Sequence, residues 1–93
     1  MNDPLDMRAD IVAAAASHGA TNVRVFGSAA RNERREGSDL DLLVRMEEGR
    51  SLFDLIALSQ ELEDRLGVPV DVLSEGGLSP YLRDRILGEA VPL

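Results

Sequence analysis

Two aspartates, Asp39 and Asp41, flank a leucine in the run Asp39-Leu40-Asp41-Leu42-Leu43-Val44. Such alternation marks a half-buried strand, because successive side chains point to opposite faces of a sheet. Leu40, Leu42 and Val44 fall on the buried face, and Asp39, Asp41 and Leu43 on the other. The register is fixed, since a one-residue slip would bury both charges. Carboxylates spaced this way lie roughly 7 Å apart at Cα and repel each other, a conflict that a divalent cation removes. The chain has no cysteine and only one histidine, so the available donors are oxygens, which points to magnesium or manganese.

A third acid, Asp71, sits between Val70 and Val72 in an otherwise apolar run. If its strand lies beside the first, three carboxylates gather on one face, a geometry suited to holding a phosphoryl group between an attacking and a leaving oxygen. The competing reading is that each aspartate simply faces solvent on an amphipathic sheet. Gly27-Ser28 favours the former. A glycine at a strand end lets backbone approach a ligand, a serine hydroxyl donates, and a following helical turn supplies oriented N–H groups for phosphate. Gly-Ser alone is an ordinary turn; ahead of Asp-x-Asp on a strand, it places a triphosphate cradle beside a metal cluster.

The elements that must position these residues follow from pattern. Asp3 and Pro4 suit the cap and first turn of a helix that carries Leu5, Ile11, Val12 and Ala15 and ends at Gly19. Asn22 to Phe26 reads as a strand, Gly27 to Asn32 as a short helical turn, and Glu33 to Ser38 as a polar loop. Asp39 to Arg45 is the clearest strand. Ser51 and Asp54 form a capping box for a helix whose stripe is Leu52, Leu55, Ile56, Ser59, Leu62 and Leu66, closed by Gly67. Val68 to Leu73 reads as a third strand, with Pro69 arguing for a strand end or a sheet edge. Ser79-Pro80 opens a last helix reaching about Leu87. The expected architecture is one α/β (α+β) domain over residues 1–93, with a small mixed sheet of about three strands flanked by helices.

Composition narrows the function. Seventeen acidic residues against ten basic ones, all arginine, give a net charge of -7, which disfavours direct nucleic-acid binding. Without lysine there is no Schiff base and no Walker lysine. No apolar run approaches the roughly 18 residues of a membrane span, and no basic apolar leader opens the chain, so a cytoplasmic protein is expected. His18 reads as a helix C-terminal residue facing the dipole. Tyr81 and Phe53 read as core or interface packing, Arg34-Arg35 as a solvated loop, and Leu82 and Ile86 as either core or partner surface.

Gly27-Ser28-Ala29-Ala30-Arg31, followed by Gly37-Ser38-Asp39-Leu40-Asp41-Leu42-Leu43-Val44, resembles the signature of the polymerase-β-like nucleotidyltransferases. It looks most like their minimal branch, the MntA-type antitoxins of HEPN/MNT toxin–antitoxin pairs. The resemblance extends through Val70-Asp71-Val72-Leu73 to Pro92-Leu93, and departs from the usual pattern at Asn32, where a glycine is common. It implies that Gly27, Ser28, Arg31 and Ser38 bind the nucleotide. It implies that Asp39, Asp41 and Asp71 hold magnesium, with manganese as the alternative, and that Asp71 also serves as base toward an acceptor hydroxyl. Arg31 either touches phosphate or braces its loop through an ion pair.

The activity implied is attack by an acceptor hydroxyl on the α-phosphorus of ATP, with pyrophosphate leaving. In the antitoxin branch that hydroxyl belongs to a tyrosine of the partner HEPN ribonuclease, which adenylylation silences. Two rivals stand beside it: a non-catalytic antitoxin that neutralises the toxin by binding, and a nucleotidyltransferase acting on a small molecule.

Overall fold

The computed structural model describes residues 7–27, 30 and 39–93. In chain order these form helix α1 (Arg8–Ser17), strand β1 (Ala20–Phe26), strand β2 (Leu40–Met46), helix α2 (Leu52–Leu66), strand β3 (Val70–Ser74), a short 3-10 turn (Glu75–Gly77), helix α3 (Pro80–Glu89) and strand β4 (Val91–Pro92). The sheet runs β3-β2-β1-β4. β1 is antiparallel to both its neighbours, whereas β2 and β3 are parallel and joined through α2. The fold is therefore mixed α/β as expected, with one strand more than periodicity indicates. β4 escapes a pattern search because two residues, one of them proline, carry no period.

One sheet face supplies Val23, Val25, Leu40, Leu42, Val44, Val70 and Val72 to the core, and α1 and α2 cover it with Ile11, Ala14, Ala15, Leu58 and Leu62. On α2 the buried positions are Leu58 and Leu62, while Leu52 and Ile56, expected in the stripe, are exposed. On α1, Val12 faces solvent. The expected start of α1 at Asp3, Pro4 and Leu5 lies outside the described residues. α2 is delimited as its sequence requires: Ser51 and Asp54 form the capping box, and Gly67 closes the helix at φ 72° in the left-handed region. α3 has Ser79 as its cap and Pro80 in its first turn, runs through Gly88, and buries no residue.

The third strand begins after Pro69 at a sheet edge, the position that proline tolerates. Its Val70 turns its backbone toward α2: the Ser59 hydroxyl donates to the Val70 carbonyl at 2.6 Å, and the Val70 N–H donates to the Glu63 carboxylate at 2.9 Å. At the opposite edge β4 is held by pairing of Arg24 with Pro92 and Val25 with Val91, and by the Leu93 N–H donating to the Val23 carbonyl. Among the described residues no helix is long and apolar enough to cross a membrane.

Candidate active site

The open face of the sheet carries the acids. Asp41, the second residue of β2, is the register partner of Asp71, the second residue of β3. Because the two strands are parallel, the carboxylates start from neighbouring Cα positions on the same face, one strand spacing of about 4.8 Å apart. Buried neighbours Leu40 and Leu42 on one strand, and Val70 and Val72 on the other, lock that orientation. Asp41 is half-buried and Asp71 exposed. Asp39 stands immediately before β2 and is exposed, and the next N–H, that of Leu40, donates to the Pro69 carbonyl at 2.9 Å.

Gly27 closes the site from the β1 side. β1 ends at Phe26, which pairs with Asp41, so the chain leaves the sheet directly beside that carboxylate. Gly27 has φ 68°, and a Cβ placed there would lie 2.5 Å from Asp41 Oδ2. Glycine takes this conformation without strain, and the absence of a side chain permits this approach. Ser28, Arg31 and Ser38, the remaining expected nucleotide contacts, lie outside the described residues, as do Arg34-Arg35 and the departure at Asn32.

Asp41, Asp71 and the Gly27 backbone are thus brought together at one end of the sheet. Among the described residues no three acidic or histidine side chains converge on a point as a closed metal cage would. The expected three-carboxylate cluster is thus a register-matched pair, Asp41 and Asp71, with Asp39 beside it just before the start of β2. Magnesium is commonly held by one or two carboxylates, with water and substrate phosphates completing its shell, so the donor set fits that ion.

Leu43 departs from simple alternation. It lies on the acid-bearing face yet is fully buried. Across the sheet its register partners are Arg24 on β1 and Leu73 on β3. The Arg24 guanidinium forms an ion pair with Glu75, just past β3, and also donates from Nε to the Asn22 carbonyl at 3.0 Å. β2 lies between β1 and β3, so this bridge crosses the sheet over Leu43. A break in register between Thr21 and Arg24, with Asn22 at φ 51°, accompanies that placement. Arg24 and Glu75 escape sequence reasoning, their only signal being an arginine between Val23 and Val25 in a short apolar strand.

The other titratable contacts belong to the helices. The Asp54 carboxyl is held below its ordinary value, first by the Ser51 backbone N–H and then by Arg50. The Glu61 carboxyl is also lowered, chiefly by its hydrogen bond with His18 at 3.1 Å and further by Arg65. His18 at the end of α1 thus ties the two core helices together. Phe53 and Tyr81, 81% and 95% exposed, are not core residues, and Leu82 is also largely exposed.

A protein-family profile described as the nucleotidyltransferase domain matches residues 9–93. A Methanocaldococcus jannaschii protein described as a candidate protein adenylyltransferase is 48% identical over 86 residues, 92% of each chain. The protein adenylyltransferase MntA of Thermococcus cleftensis is 40% identical over 73 residues, covering 78% of this chain and 74% of its own. A solved structure described as a candidate minimal nucleotidyltransferase superposes with a TM-score of 0.83 at 55% identity, covering 99% of this chain and 97% of that one. A complex of a tri-AMPylated Shewanella oneidensis HEPN toxin with an MNT antitoxin matches at TM-score 0.74 and 16% identity over 97% of this chain and 71% of that one, a likeness of fold.

Proposed function

The chain belongs to the nucleotidyltransferase domain family, and from that premise we propose that it is an antitoxin that transfers AMP from ATP to a tyrosine hydroxyl of a HEPN-domain ribonuclease toxin. The observation that carries the reading is the register-matched Asp41–Asp71 pair with Gly27 pressed against Asp41. Nucleotidyl transfer needs acidic ligands beside a backbone that can approach phosphate, and this face offers both. Curated relatives named for protein adenylylation supply the acceptor class, and the fold shared with the MNT partner of a HEPN toxin suggests the acceptor itself.

In this reading the Gly27 backbone and the Ser28 hydroxyl hold the triphosphate, with Arg31 and Ser38 completing its contacts. Asp39, Asp41 and Asp71 would hold magnesium, which when bound neutralises the phosphates and polarises the α-phosphorus. Asp71 accepts the proton of the incoming tyrosine hydroxyl as the new oxygen–phosphorus bond forms. The bond from the α-phosphorus to the bridging oxygen breaks, and pyrophosphate departs with that electron pair. The protein contributes chiefly position and charge, since alignment of the reacting groups and fixed electrostatics account for most of such a barrier reduction.

The test is intact-mass spectrometry of a HEPN-domain partner after incubation with this protein and Mg-ATP. An increment of one or more AMP units is expected. Asp39→Asn/Asp41→Asn protein should lose at least about a hundredfold in rate, because a metal at the reacting phosphate contributes several kcal/mol. A toxin neutralised without any increment, equally well by that variant, would replace transfer with inhibition by binding.

A further inference from the structure

The acid-bearing face holds a second concavity. At the far end of β2, beyond Leu43, a cleft of about 570 Å³ opens between Arg45 and Met46 of β2, Ser74 at the end of β3, Gly76 and Leu78 after it, and Arg83 in the first turns of α3. Arg45 lies four residues beyond Asp41, roughly 13 Å along the strand. The Arg24–Glu75 bridge crosses the sheet between the two places.

Its charge is opposite to that of the chain. Glu75 is the one acid lining it and is already paired with Arg24. Elsewhere Arg50 pairs with Glu47 and Asp54, and Arg65 with Glu61. Arg45 and Arg83, like Arg8 and Arg85, have no carboxylate partner among the described residues, although the chain carries a net charge of -7, but only these two line a common cleft. Two guanidinium groups without counter-ions among the described residues, lining one cleft with a serine, supply the donor types that suit a phosphate. Met46 and Leu78 add apolar wall, and the volume falls in the range of small-molecule sites.

We propose that this cleft binds a nucleoside monophosphate, with Arg45, Arg83 and Ser74 on the phosphate and Met46 and Leu78 against the base. The same chemistry is presented by free AMP and by an AMP already attached to an acceptor tyrosine. The assignment is independent of which protein serves as acceptor.

The test is an amide NMR titration of the whole protein without divalent cation, the ion through which the proposed transfer site would hold a nucleotide's phosphates. The probes are AMP, O-adenylyl-tyrosine and inorganic phosphate. Saturable shifts at Arg45, Ser74, Gly76 and Arg83 are expected with at least one of the two nucleotides. They should weaken with added salt and by at least tenfold in Arg45→Ala/Arg83→Ala protein, whose remaining spectrum reports an intact fold. The tighter of the two nucleotides identifies the physiological form. Absence of saturation with both, shifts centred on Gly27 and Asp41, or equal binding by the double variant would overturn the assignment. Inorganic phosphate binding as tightly as either nucleotide would overturn it as well.

Discussion

At the residue scale, Gly27 is where conformation and chemistry meet. Its positive φ and its approach to Asp41 are separate demands on one position, and glycine meets both without strain. Gly27→Ala should cost about 1–2 kcal/mol from the left-handed backbone alone. Its Cβ must also displace the Asp41 carboxylate. Chemical denaturation is therefore expected to show a modest loss of stability, while nucleotidyl transfer should fall much further. A loss of transfer no larger than the loss of folded protein would separate Gly27 from the chemistry. The glycine, Asp41 and Asp71 were all legible as residues, because each breaks its local pattern: a glycine at a strand end, and acids in apolar runs. Arg24 and Glu75 were not, since their pairing joins strands that are adjacent to β2 but far apart in sequence.

At the scale of elements, the helix boundaries were written most plainly. Ser51 with Asp54, Gly67, and Ser79-Pro80 each act through bonds to their own neighbours, so sequence proximity suffices to read them. Ser51→Ala should destabilise the protein by about 1 kcal/mol, read as a lowered denaturation midpoint. Faces were harder to read. Leu52 and Ile56 satisfy helical spacing as well as Leu58 does, and only the position of the sheet decides which of them it covers. Leu43 was assigned to the open side by alternation, yet it is fully buried there between its register partners Arg24 and Leu73. Acid should reveal the helix contacts. Asp54 and Glu61 both have carboxyls lowered by folding, so each contributes stability above the ordinary carboxylate range, and that contribution is lost as pH falls through the folded values. Urea midpoints should therefore drop as pH falls below about 4, and Asp54→Asn should flatten that dependence.

At the scale of the whole molecule, the division of labour is by sheet face. Among the described residues, helices α1 and α2 cover one side, and the other carries Asp41, Asp71 and the arginine cleft, so the groups proposed to bind stand apart from the core. α3 has no fully buried residue: it carries Tyr81 and Leu82 outward, half-buries Ile86 and Leu87, and is followed by the pairing of β4 with β1. The treatment of β3 has a consequence for crowded conditions. An edge strand with free backbone groups is a template on which another chain can add a strand. Here Ser59 and Glu63 occupy the first outward-facing groups of that edge, and at the other edge Pro92 has no N–H to offer. Ser59→Ala/Glu63→Ala protein should self-associate at concentrations where the parent chain does not, measured by sedimentation, with transfer per folded molecule unchanged. A small acidic domain thereby keeps its sheet from growing, and what it meets is left to side-chain chemistry rather than to backbone adhesion.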